Sequence, residues 1–106
     1  MIHSVFSRLL AALAASPLAA QENDIRAGLA TADRVCAECH AVRLGDLHSP
    51  NSRAPTFVAI AARPGMTSAD LRAALNTSHR TVPDVVLSSD QADAIVSYIL
   101  SLRQPG

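Results

Sequence analysis

Large apolar side chains are scarce in this chain, and that scarcity limits what it can fold into unaided. It has one tyrosine, two phenylalanines and no tryptophan. Phe6 sits in an N-terminal apolar stretch, so Phe57 and Tyr98 are the whole aromatic content after residue 20. Aromatic rings bury roughly 150–250 Å² each and dominate many cores. A chain this short has a thin core even with a full share of them. Small domains in that position lean on disulfides, metals or bound groups. The chain needs something to pack around.

Residues 1–20 read as a secretory signal. His3 and Arg8 precede the apolar run Leu9-Leu10-Ala11-Ala12-Leu13-Ala14-Ala15, and Ser16-Pro17-Leu18-Ala19-Ala20 offers small residues for cleavage before Gln21. The run is shorter than the roughly 18 residues a membrane-spanning helix requires. The expected division is a signal over 1–20 and one domain over 21–106. The domain would be periplasmic or otherwise exported, with no membrane span after signal cleavage.

Nine basic residues balance nine acidic ones, and every basic residue is an arginine. The charges are dispersed, with no block of one sign, which argues against nucleic-acid binding and against a polybasic membrane surface. Without lysines there is also no obvious basic ring for docking an acidic partner.

The pattern along the chain is helical. Asn23-Asp24 can cap a first helix running to about Cys36, with Ile25, Leu29 and Ala32 at helical spacing. Residues 41–55 carry Gly45, Asp46, Ser49, Pro50, Asn51, Ser52 and Pro55, which mark a long loop. A short helix is expected over residues 56–62, ended by Pro64-Gly65. Thr67-Ser68-Ala69-Asp70 then resembles a capping box opening another short helix through Leu71 and Leu75. A second loop over 76–87 contains His79 and Pro83. Ser88-Ser89-Asp90-Gln91 is a capping box for a last helix with the apolar stripe Ala92, Ile95, Val96, Ile99 and Leu102. No segment alternates with a strand period, so the fold class is all-α.

The chemistry lies in Cys36-Ala37-Glu38-Cys39-His40, which holds both cysteines of the chain. Two thiols separated by two residues can each form a thioether to a vinyl group of one haem. The adjacent histidine then sits under the iron as its proximal ligand, and this spacing reads as c-type haem attachment. Three other uses of the same residues stay open at this level. A thioredoxin-like redox pair needs a βαβ pattern that is missing here. A structural disulfide suits an exported chain and leaves His40 incidental. A zinc site needs further ligands, for which His48 and His79 are the remaining histidines beyond residue 20.

With the motif in place, residues 21–106 resemble a class I c-type cytochrome of the small bacterial monohaem kind. The resemblance implies a cytochrome c fold: three or four helices wrapped around one covalent haem c, with crossed N- and C-terminal helices. Gly28 against Tyr98 matches the family's crossing pair, since a glycine lets two helix axes approach while a ring fills the space beside it. The stretch from Ser49 to Phe57 resembles the family's loop beneath the haem. By that resemblance the Pro55 carbonyl accepts a hydrogen bond from the proximal ring of His40, and Phe57 packs in the core.

The chain departs from the family where relatives carry a ligating methionine, in a His-x-x-Met-Pro segment before the last helix. Here the segment reads His79-Arg80-Thr81-Val82-Pro83. Valine has no lone pair for iron, so the sixth ligand is open to several candidates. One outcome is a vacant distal face, walled by Val82 with Leu71, Leu75, Val85 and Leu87. His79 is a candidate ligand, Met66 another, and His48 in the first loop a third.

The function implied is single-electron transfer with redox partner proteins, free or as a subunit of an oxidoreductase. No catalytic residue is assigned. The alternative is a haem protein that binds or senses CO, NO or peroxide at an open distal site, with weak peroxidase-like activity from His79 and Arg80.

Overall fold

The computed structural model describes residues 16–77, 79 and 85–104. The apolar run of the expected signal lies outside the described residues, as do Arg80, Val82 and Pro83. The elements in chain order are α1 (Pro17–Val35), α2 (Phe57–Ala61), α3 (Ser68–Thr77) and α4 (Ser89–Ser101). Among the described residues there is no strand, in agreement with the all-α reading.

Helix α1 starts earlier than the cap expected at Asn23-Asp24. Ser16 is the N-cap and its hydroxyl accepts from the Ala19 N–H at 3.2 Å. Pro17 occupies the first turn, where its missing N–H would have no helical partner anyway. Leu18-Ala19-Ala20-Gln21-Glu22 are all good helix formers, so nothing interrupts the helix before Asn23. With no breaker between the two caps, the helix begins at the upstream one. Contact with the core still begins only at Ile25.

The framework is the crossing of α1 and α4. Gly28 and Ala32 of α1 are buried, and α4 buries Ala92, Ala94, Ile95, Val96, Tyr98 and Ile99. A Cβ built on Gly28 would run into the Ala94 carbonyl and lie 2.7 Å from the Tyr98 Cβ. Only glycine permits this approach. The stripe expected on α4 is the buried one, and Ile95 has no exposed surface. Side chains such as Ile95, Val96 and Ile99 contribute roughly 1.5–3 kcal/mol each on full burial. The capping box is complete: the Ser88 hydroxyl accepts from Gln91 N–H at 3.1 Å and the Gln91 side chain accepts from Ser88 N–H at 2.9 Å.

The two short helices are set against this crossing. Thr56 caps α2 through the Ala59 N–H, and Gly65, at φ 73°, turns the chain beyond it. Thr67 and Asp70 cap α3 reciprocally, each side chain accepting from the other's N–H at 3.1 Å. Arg103, just past α4, donates to the carbonyls of Ala61 and Met66, tying the α2–α3 connection to the end of α4. Helix α3 continues through Asn76 and Thr77, which the sequence pattern had assigned to the following loop. The Thr77 hydroxyl donates back to Ala73 O at 2.7 Å and so stays within the helix.

Candidate functional site

Residues 36–40 form the turn that ends α1. Cys36 is the C-cap and its N–H reaches Ala32 O. The N–H groups of Cys39 and His40 both fold back onto the Cys36 carbonyl, at 3.1 and 2.9 Å. This winding puts Cys36, Cys39 and His40 on the wall of one cavity.

The loop over residues 41–55 is irregular but well tied. Ala41 N–H donates to the Ser49 hydroxyl, Asn51 N–H to Cys39 O and Phe57 N–H to Ala41 O. From the other side the buried Tyr98 hydroxyl donates to Val42 O at 2.5 Å. Burial pushes the Tyr98 pKa up, which keeps the phenol protonated as a donor. These ties carry the loop to Pro55, whose carbonyl lies 2.6 Å from His40 Nδ1. A carbonyl can only accept, so Nδ1 carries the proton and Nε2 is the nitrogen left with a lone pair. Phe57 is buried as expected, with its ring centroid 5.4 Å from His40 and 6.3 Å from Tyr98. It also lines the cavity, so it is both core and wall.

The cavity has a volume of about 480 Å³, within the range of sites for small molecules and cofactors. Its apolar wall includes Ile60, Leu71, Leu75, Val85 and Ile99. Of the distal wall expected from the sequence, Leu71, Leu75 and Val85 are in place, whereas Leu87 packs against the core instead. His79 and Met66 both line the cavity. His48 does not: it is exposed in the loop over 41–55, where no tie draws its ring inward. The sequence reading did not single out Asn51, Arg53 and Arg63, which bring polar and cationic groups to the same cavity. Nothing in their spacing marks them, since α2 and its flanking turns assemble them in space.

The two thiols differ. Cys39 is exposed and Cys36 half-buried, and they are not bridged. Burial first, and then the charge of Cys39, pushes the Cys36 pKa up to about 11. A redox-active pair requires the opposite shift, toward a stable thiolate. No group of three or more His, Cys, Asp or Glu side chains among the described residues is placed to hold a metal ion, so the zinc reading gains no support.

Crossed terminal helices, with a thiol pair and a histidine on one ligand-sized cavity, define an all-helical protein of the cytochrome c fold. A similar protein is cytochrome c-552 of Bradyrhizobium diazoefficiens, 36% identical over 95 residues that cover 90% of this chain and 90% of the relative. No family model and no solved structure matches the chain. The chain belongs to the c-type cytochromes.

Proposed function

We propose that the chain carries one haem c, bound through thioethers from Cys36 and Cys39 and ligated by His40, and that it transfers single electrons between redox partner proteins. It acts either as a free carrier or as the haem subunit of an oxidoreductase. The observation that carries this reading is the hydrogen bond from His40 Nδ1 to Pro55 O beside the two thiols. It selects the tautomer with Nε2 free for iron and holds the ring's orientation, as outer partners do for metal-bound histidines.

The residues suit haem in three further ways. The wall is largely apolar, as a macrocycle requires, and Arg53 and Arg63 supply cations for the propionates. Cys36 and Cys39 are unbridged and both line the cavity, so each thiol is available to a macrocycle placed there. The aromatic-poor core leaves a hollow for the macrocycle to fill. When bound, the haem supplies an iron that cycles between two oxidation states. The chain's own share is to hold the ring, exclude water from its apolar face and leave an edge within reach of partners.

Within the family, the absence of methionine at Val82 makes this a variant of the class I type. Export follows from the signal pattern over 1–20. Of the described residues, removal of that segment takes 16–20, the first turn of α1, which are exposed apart from the half-buried Ala19. No described helix is long and apolar enough to cross a membrane.

The test is production of the full chain in a bacterium competent for c-type maturation. Haem staining of the denatured periplasmic fraction should give a band at the mature mass, and the Cys36→Ala, Cys39→Ala double variant should lose it. A wild-type chain that retains no haem after denaturation would sink the proposal.

A further inference from the structure

We propose that His79 is the second axial ligand, so that the iron is held between His40 and His79. This rests on the haem reading above and goes beyond it, because it names the group standing in for the missing methionine.

Both imidazoles line the same cavity. Their ring centroids are 6.0 Å apart, with planes inclined by 36°. Two imidazoles bound through nitrogen at about 2.0 Å on opposite sides of one metal have centroids about 6 Å apart. The separation therefore fits a single metal between them.

The hydrogen bonds make the same assignment independently. His79 stands just beyond the end of α3, and its Nδ1 lies 3.3 Å from Ala74 O, a carbonyl of the last helical turn. As with His40 and Pro55, the carbonyl can only accept, so the proton is on Nδ1 and the lone pair on Nε2. Both rings are thus held in the tautomer that binds metal, each by a backbone carbonyl. The α3 end supplies the distal support that the loop over 41–55 supplies proximally.

Met66 is the competing donor in the lining. It belongs to the α2–α3 connection, where Arg103 grips its carbonyl, and it packs against the core. No observation brings it to His40 as the ring distance brings His79.

Two imidazoles close the iron and give a lower potential than histidine with methionine. The experiment uses matured holoprotein whose covalent haem has first been confirmed by staining, so a failure here leaves that reading intact. The expected wild-type result is a six-coordinate low-spin spectrum, with the near-infrared and EPR signature of bis-imidazole ligation, unchanged by CO. His79→Ala should lose that signature and gain CO binding. His79→Met should keep a six-coordinate iron and raise the reduction potential, which separates ligation from mere capping of α3. A high-spin, CO-binding wild type would overturn the inference. So would a methionine–iron charge-transfer band in the wild type that is lost in Met66→Leu, or a His79→Ala spectrum identical to wild type.

Discussion

The two sides of the cavity are built differently. On the side of His40, an imidazole is fixed at 2.6 Å by a carbonyl whose loop is itself tied by Ser49, Asn51, Phe57 and Tyr98. Behind that stands the α1–α4 crossing at Gly28. On the side of His79, a single imidazole stands past the end of α3 with one longer contact, 3.3 Å, to Ala74. Helix α3 meets α4 partly through an exposed pair between Arg72 and Asp93. The contrast teaches a division of labour. The His40 side is cross-linked from the loop, α2 and α4, while the His79 side hangs on one helix end.

If that comparison holds, perturbations should shrink in order from the first side to the second. The largest contrast is in thiol chemistry on the His40 side. In the haem-free chain at pH 8, iodoacetamide should modify the exposed Cys39 more than tenfold faster than Cys36, whose pKa is raised to about 11. The Cys36 rate should climb about tenfold per pH unit until it levels near that value. The sign for stability follows: a thiol whose folded pKa lies above its unfolded one stabilises fully below about pH 9. That contribution is lost as the pH rises toward 11. Mass spectrometry of pulse-alkylated peptides checks the rates, and equal rates would break the contrast between an exposed Cys39 and a half-buried Cys36.

Next in size is Gly28→Ala. The new methyl group meets the backbone of Ala94, which cannot rotate away. Even after the roughly 1 kcal/mol that alanine gains in helix propensity, overpacking should cost about 2 kcal/mol or more. A holoprotein melting temperature equal to wild type would show that the crossing is less tight than described. Tyr98→Phe leaves the buried Val42 carbonyl without its donor and should cost about 1–2 kcal/mol. Denaturant titration measures it. A changed axial-ligand spectrum in that variant would show that the two sides are not independent.

The smallest effect belongs to the other side. Arg72→Ala removes an ion pair whose side chains are 35% and 62% exposed. Such pairs contribute about 0.2–1 kcal/mol, and salt screens them. A loss beyond 1 kcal/mol, or one that persists at high salt, would mean that α3 is anchored more firmly than its contacts suggest.

Much of this molecule was legible in the linear chain, and the reasons are local. Caps at Thr67 and Ser88 and the stripe from Ala92 to Leu102 are set by spacings within a turn or two of helix, so they appear in the sequence as patterns. The start of α1 differs from the expected one because the chain offers two comparable caps, and the later one lies nearer the core-facing residues. The end of α3 was misplaced because Asn76 and Thr77 have poor propensity yet remain in the helix. The contribution of Arg63 to the cavity had no sequence signal, since it belongs to no motif, and Arg53 was marked only through the loop that holds it.

What the sequence determined by itself is the thiol–thiol–histidine motif and the helical class. Cys36, Cys39 and His40 lie within one turn, so their mutual geometry follows from the backbone there. The tertiary structure decided how the two histidines are presented. Pro55 reaches its ring only once the loop over 41–55 has closed, whereas the Ala74 contact to His79 is local to the end of α3. The 6.0 Å between those rings depends on how separate elements pack, which no spacing along the chain encodes.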